Sequence, residues 1–114
     1  SDLLVHDSDI LKIVNELKNA GAEAISINGQ RIILTTSIIC GGNIININGE
    51  RVGSPFEIKA IGSPEALANL SRPDGILSNL KNRGINVSEL KKSNNITIPK
   101  YSGVLNFKYL SNVN

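Results

Sequence analysis

Two Asn-Gly pairs, Asn28-Gly29 and Asn48-Gly49, each stand between runs rich in Ile, Val and Thr, and together they constrain the fold more than any other feature of the chain. Asn and Gly both tolerate positive φ, so the pair suits the two-residue turn whose twist matches that of antiparallel strands. The chain is therefore expected to fold through two β-hairpins. Ahead of the first turn, Ala22, Ala24 and Ser26 alternate with Glu23, Ile25 and Ile27, and Arg31 to Ile39 returns as a strand dense in β-branched residues. Ile44, Ile45 and Ile47 lead into the second turn, and Glu50, Arg51 and Val52 come back from it. After the Gly53-Ser54-Pro55 break, Phe56, Ile58 and Ala60 alternate with Glu57, Lys59 and Ile61 in a further half-buried strand.

Elsewhere the period is helical. Ile10, Ile13, Val14 and Leu17 fall on one face of a helix from Asp7 to Gly21, with Asp7 or Ser8 as its cap and Gly21 closing its last turn. Ser63-Pro64-Glu65 starts a short helix reaching about Leu70, and Pro73 opens another whose apolar stripe is Ile76, Leu77 and Leu80 and whose stop is Gly84. Short strands are expected at Ile85 with Val87 and at Ile96 to Ile98, with a polar loop from Lys91 to Asn95 between them. Helices set apart from antiparallel strands make an α+β fold: an antiparallel sheet holding both hairpins, helices packed on one face, in a ferredoxin-like or related split arrangement. A chain of 114 residues is one domain, read here as residues 1–101, with 102–114 as an edge strand or flexible tail.

Charge excludes more than it indicates. Twelve basic and ten acidic residues give +2, scattered singly, and two Phe with two Tyr are too few for a base-stacking platform, so nucleic acid is not an expected partner. One Cys excludes an internal disulfide, and Cys40 with His6 cannot assemble a zinc set; no metal and no cofactor is implied. Cys40-Gly41-Gly42 resembles an anion nest beside a thiol, yet it matches no Walker loop and reads as a small buried residue followed by a turn. Asp7 and Asp9 beside His6 sit where helix caps belong. Glu16, Glu23, Glu50, Glu57, Glu65 and Glu89 follow no motif that selects a catalytic pair.

The densest polar cluster comprises Asn15, Glu16, Glu23, Asn28, Gln30 and Arg31. Arg31 at a hairpin exit can grip a carboxylate or phosphate, or pair with Glu23 across the hairpin. With Gly41 and Gly42, these residues form the candidate surface for a protein partner or for a small anionic ligand such as a wall fragment or nucleotide.

The chain does not begin with Met, which suggests a processed product or a fragment of a longer protein, and no apolar run approaches the roughly 20 residues that span a bilayer. The stretch from Asp9 to Arg31, followed in order by Ile39-Cys40-Gly41-Gly42, Asn48-Gly49, Pro55 to Gly62 and Gly84-Ile85, resembles an uncharacterised bacterial family, the domain-of-unknown-function family 881 or UPF0749-type proteins. The resemblance runs from about Leu4 to Tyr101. It implies an N-terminal membrane anchor and a coiled coil upstream, a domain on the extracytoplasmic side of the cell membrane, and an association with cell division or envelope assembly. It also implies a glycine-containing strand ahead of Val5, without which a sheet edge stands open. The reading is a non-enzymatic interaction domain with protein partners or self-association. Its alternatives are the anionic-ligand domain and an unrecognised hydrolase or transferase, which would need two titratable side chains converging in a cleft.

Overall fold

The computed structural model describes residues 4–33, 36–41, 44–88, 90, 91, 93 and 95–100. Helix α1, Asp7–Asn19, buries Ile10, Ile13, Val14 and Leu17 as their spacing requires. Its cap lies ahead of both expected candidates. The carboxylate of Asp9 reaches back to accept the His6 N–H at 2.9 Å, while Asp7 takes the N–H of Ser8 at 2.8 Å, so His6 and not Asp7 or Ser8 occupies the capping position. Gly21 adopts φ 87° and lets Ala22 donate back to the Leu17 carbonyl at 2.9 Å, which closes the helix and turns the chain into the first strand.

Six strands follow among the described residues: β1 Ala24–Ile27, β2 Gln30–Arg31, β3 Ile38–Gly41, β4 Ile44–Ile47, β5 Glu50–Val52 and β6 Ile58–Ile61. Both Asn-Gly turns form, with Asn28 at φ 46° and Asn48 at φ 56°. The class is α+β, and every strand pair is antiparallel. The strands, expected in one sheet, are shared between two, in the orders β2-β1-β6 and β3-β4-β5. The α+β class holds, and the described residues form two three-stranded sheets in place of a single ferredoxin-like one.

The division falls inside the run read as one strand from Arg31 to Ile39. Ile32 still donates to the Ile25 carbonyl at 2.9 Å, but the next N–H, of Ile33, is taken by the Thr36 hydroxyl at 2.7 Å, and Thr36 donates back to the Ile33 carbonyl at 3.1 Å. These two local bonds join Ile33 to Thr36 where the pairing with β1 ends. The chain re-enters as β3 of the second sheet, beside β4.

After β6, Ser63 caps α2, Pro64–Leu67, by accepting the Ala66 N–H at 3.5 Å, and a 3-10 turn, Ala68–Ser71, completes the segment expected as one helix. Pro73 does not open α3. Gly75 donates to the Arg72 carbonyl at 3.0 Å, closing a turn first, and α3 runs from Ile76 to Asn82. Ile85, Val87 and Ile96 to Ile98 adopt no regular strand, although Ile98 is buried. Gly42, Tyr101, the segment Val104 to Leu110 and the rest of the tail lie outside the described residues. One core joins α1 to both sheets, centred on Ile10, Ile27, Ile45 and Ile47, and Leu70, Ile76 and Leu80 close it from the later helices. Each such side chain contributes about 1.5–3 kcal/mol by burial.

Candidate functional site

The charged side chains with the best geometry tie helix to helix. Arg83, just past α3, donates through Nη1 to Asp9 Oδ1 at 2.8 Å and through Nη2 to the Leu4 carbonyl at 2.9 Å. The pair is largely enclosed, with side-chain exposures of 21% for Arg83 and 6% for Asp9. Burial works against the ionised form of Asp9, but the Arg83 guanidinium and the His6 N–H outweigh it and hold the carboxyl below its ordinary pKa. Arg72 grips Glu16 with both guanidinium nitrogens, at 2.8 and 3.0 Å, which fastens the segment before α3 to the middle of α1. In the sequence Arg83 stands out only as part of a modest basic edge with Lys81, Lys91 and Lys92, and Arg72 in no pattern. Their partners lie 74 and 56 residues away, a separation that leaves no local signal.

The polar cluster read from the sequence is dispersed by the fold. Asn15 and Glu23 are exposed, and Glu16 is committed to Arg72. Asn28 is a structural clamp: its Nδ2 donates to the carbonyls of Gly53 and Pro55 at 3.3 and 3.2 Å, and its Oδ1 accepts the Glu57 N–H at 2.5 Å. Gln30 and Arg31 are half-buried in β2, whereas Gly41 ends β3 in the other sheet and Gly42 is not among the described residues. The expected Arg31–Glu23 pair does not form. The register sets Ser26 opposite Arg31, and Glu23, just before β1, gives its N–H to the Ile61 carbonyl at 2.7 Å.

Two rows of side chains cross the outward faces of the sheets. In the second sheet, Ile39 pairs with Asn46 and Asn46 with Arg51, while the neighbouring Ile45, Ile47 and Val52 point into the core. Ile39 is 57% exposed, the most exposed large apolar side chain among the described residues. In the first sheet, Ser26 pairs with Arg31 on one side and Lys59 on the other. Sequence alternation puts Ser26 and Lys59 on strand faces, but which strands lie side by side is a tertiary fact.

Concave surface is shallow. A depression of about 240 Å³ is lined by Glu16, Asn19, Ala20, Asn69, Leu70 and Arg72, and one of about 150 Å³ by residues around the start of α3. Arg31 lines neither. In the larger one the ionisable groups already neutralise each other, which leaves no free acid–base pair inside it.

A bacterial family described as "Bacterial protein of unknown function (DUF881)" matches residues 1–111. The UPF0749 protein YlxW of Bacillus subtilis (strain 168) is 37% identical over 92 residues, which cover 80% of this chain and 40% of YlxW. The UPF0749 protein Rv1823 of Mycobacterium tuberculosis (strain H37Rv) is 37% identical over 70 residues, 61% of this chain and 23% of that protein. The chain thus spans well under half the length of these relatives. A crystal structure of an uncharacterized conserved protein from Mycobacterium tuberculosis superposes with a TM-score of 0.64 at 24% identity, covering 85% of this chain and 80% of that one, a likeness of fold. Among the described residues, no helix is long and apolar enough to cross a membrane.

Proposed function

The chain belongs to the bacterial DUF881 family, and from that membership and the placement of its charges we propose that it is a non-enzymatic interaction domain. Its host is a membrane-anchored protein, which displays it on the extracytoplasmic side through an upstream coiled coil and links it to envelope or division assemblies.

One observation carries the interaction reading: the outward row Ile39, Asn46, Arg51 on the second sheet. An exposed apolar side chain, an amide and a guanidinium without a carboxylate partner among the described residues form the mixture of anchor and polar contacts found at protein interfaces. The partner it fits presents an apolar side chain to Ile39 and a carboxylate to Arg51. The Asp9–Arg83 and Glu16–Arg72 pairs, by contrast, serve the scaffold.

In vivo cross-linking of the full-length protein, followed by mass spectrometry, tests the reading. Cross-links to envelope or division proteins are expected, and Ile39→Asp or Arg51→Glu is expected to remove them while the domain stays folded. An identical cross-link pattern in both variants, or cross-links only between copies of the chain, counts against it. The second reading, a domain for a small anionic ligand, is favoured by the lack of an ion-pair partner for Arg31 among the described residues.

A further inference from the structure

The outward face of the first sheet holds three residues from three strands in one row: Arg31 of β2, Ser26 of β1 and Lys59 of β6. Residues directly opposed in antiparallel strands project from the same face. The face is the outer one, because Ile25 and Ile27 on either side of Ser26 are buried in the core while Lys59 is exposed. Ser26 is small and only 1% exposed, so it offers almost no surface of its own between the two long cationic side chains that flank it in the row. Strand spacing puts the backbones that carry them roughly 10 Å apart, a gap that an arginine and a lysine close by leaning over a serine.

The charges in the row are not balanced. Arg72 and Arg83 each hold a carboxylate at 2.8 Å, whereas Arg31, half-buried, has none within ion-pair distance among the described residues. Lys59 has Glu57 at 3.8 Å, in a pair whose side chains are 45% and 74% exposed and which water screens. Two like charges flanking one small hydroxyl repel each other until an anion sits between them.

We propose that Arg31, Ser26 and Lys59 form a binding site for a single phosphate group. The guanidinium fork takes two of its oxygens and the ammonium a third, while the small Ser26 between them leaves room for the group. The same chemistry recognises a free phosphate ester or the headgroup of an anionic phospholipid. The site is separate from the Ile39 row on the other sheet, so its failure would leave the interaction reading standing, and the reverse holds as well.

Titration of the chain with inorganic phosphate at constant ionic strength, followed by amide and side-chain NMR, tests the site. Saturable shifts centred on Ser26, Arg31 and Lys59 are expected, with affinity falling at least tenfold in Arg31→Gln and rising in Glu57→Gln, which removes the competing carboxylate. Arg31→Gln is expected to fold normally, since the neighbouring clamp uses the Arg31 carbonyl and not its side chain, and Arg31→Lys is expected to retain part of the binding. Shifts spread over the surface lysines, or equal binding by wild type and Arg31→Gln, would overturn the proposal. A second arm separates the sources. Co-sedimentation with phosphatidylcholine vesicles containing phosphatidylglycerol, absent for pure phosphatidylcholine and lost in Arg31→Gln, assigns the phosphate to a lipid headgroup; phosphate binding without vesicle binding assigns it to a soluble ester. Neither kind of binding would refute the site.

Discussion

The side-chain amide of Asn48, at the tip of the β4–β5 hairpin, donates to the backbone carbonyl of Arg31 at 2.9 Å and so fastens the second sheet to the first. Asn28, at the tip of the β1–β2 hairpin, does the converse by holding the 53–57 connection that leaves the second sheet. Each turn asparagine therefore has two tasks. It supplies positive φ to its own hairpin, and it ties that hairpin to the other half of the domain.

Asn48→Gly separates those tasks, since glycine accepts φ 56° but cannot donate. The lost bond to Arg31 is expected to cost about 1 kcal/mol. A drop in Tm of roughly 4–8 °C corresponds to that for a domain of this size. Asn28→Gly is expected to cost at least as much, as it gives up three bonds. Melts unchanged in both variants would show that the asparagines act only through turn conformation.

Removal of Arg83 strands a buried carboxylate. Arg83→Met is expected to destabilise the chain by about 3–5 kcal/mol, the usual cost of leaving one partner of an enclosed pair alone. The pH dependence follows from the sign of the shift. The pKa of Asp9 is lower in the folded chain than in the unfolded one, so its ionised form contributes stability in full above the ordinary aspartate value of about 3.9, and that contribution is lost as the pH falls through the folded value. Chemical denaturation at neutral pH and down to the acid limb is expected to show a shallower loss in Asp9→Asn than in wild type.

The Glu16–Arg72 pair has similar distances but sits in water, with side-chain exposures of 23% and 45%. A double-mutant cycle of Glu16→Gln and Arg72→Gln is expected to give a coupling of about 0.2–1 kcal/mol that shrinks with added salt. A coupling as large as that of the Asp9–Arg83 pair would mean the depression around it excludes water.

Truncation of the α1 face tests the core itself. Ile13→Ala and Leu17→Ala, at 5% and 4% exposure, are each expected to cost about 2–5 kcal/mol by urea denaturation. Asn15→Ala, on the solvent side of the same helix, is expected to stay within about 0.5 kcal/mol.

Much of the local structure was legible. The i, i+3, i+4, i+7 spacing of Ile10, Ile13, Val14 and Leu17 located α1 and its buried face, and the Asn-Gly pairs located both hairpins, because spacing and φ preference act over a few neighbouring residues. The local bond between Ile33 and Thr36, where the run after Arg31 leaves its sheet, was not legible, since β-branched residues look alike whether they pair or turn. Of the candidate site, Arg31 was visible as a cation at a hairpin exit. Its neighbours Ser26 and Lys59 were ordinary strand residues until the register placed them beside it.

The amphipathic helix, the two hairpins and the α+β class are readable from the residue order alone, because they depend on side-chain periodicity and on backbone torsions that single residues prefer. That the hairpins belong to separate sheets, that Arg83 closes on Asp9 from 74 residues away, and that Arg31, Ser26 and Lys59 share one face follows from long-range packing. Those pairings compete among many alternatives of nearly equal local energy. What selects among them is the burial of one common core around Ile27 and Ile47, to which every element contributes and which no segment contains alone.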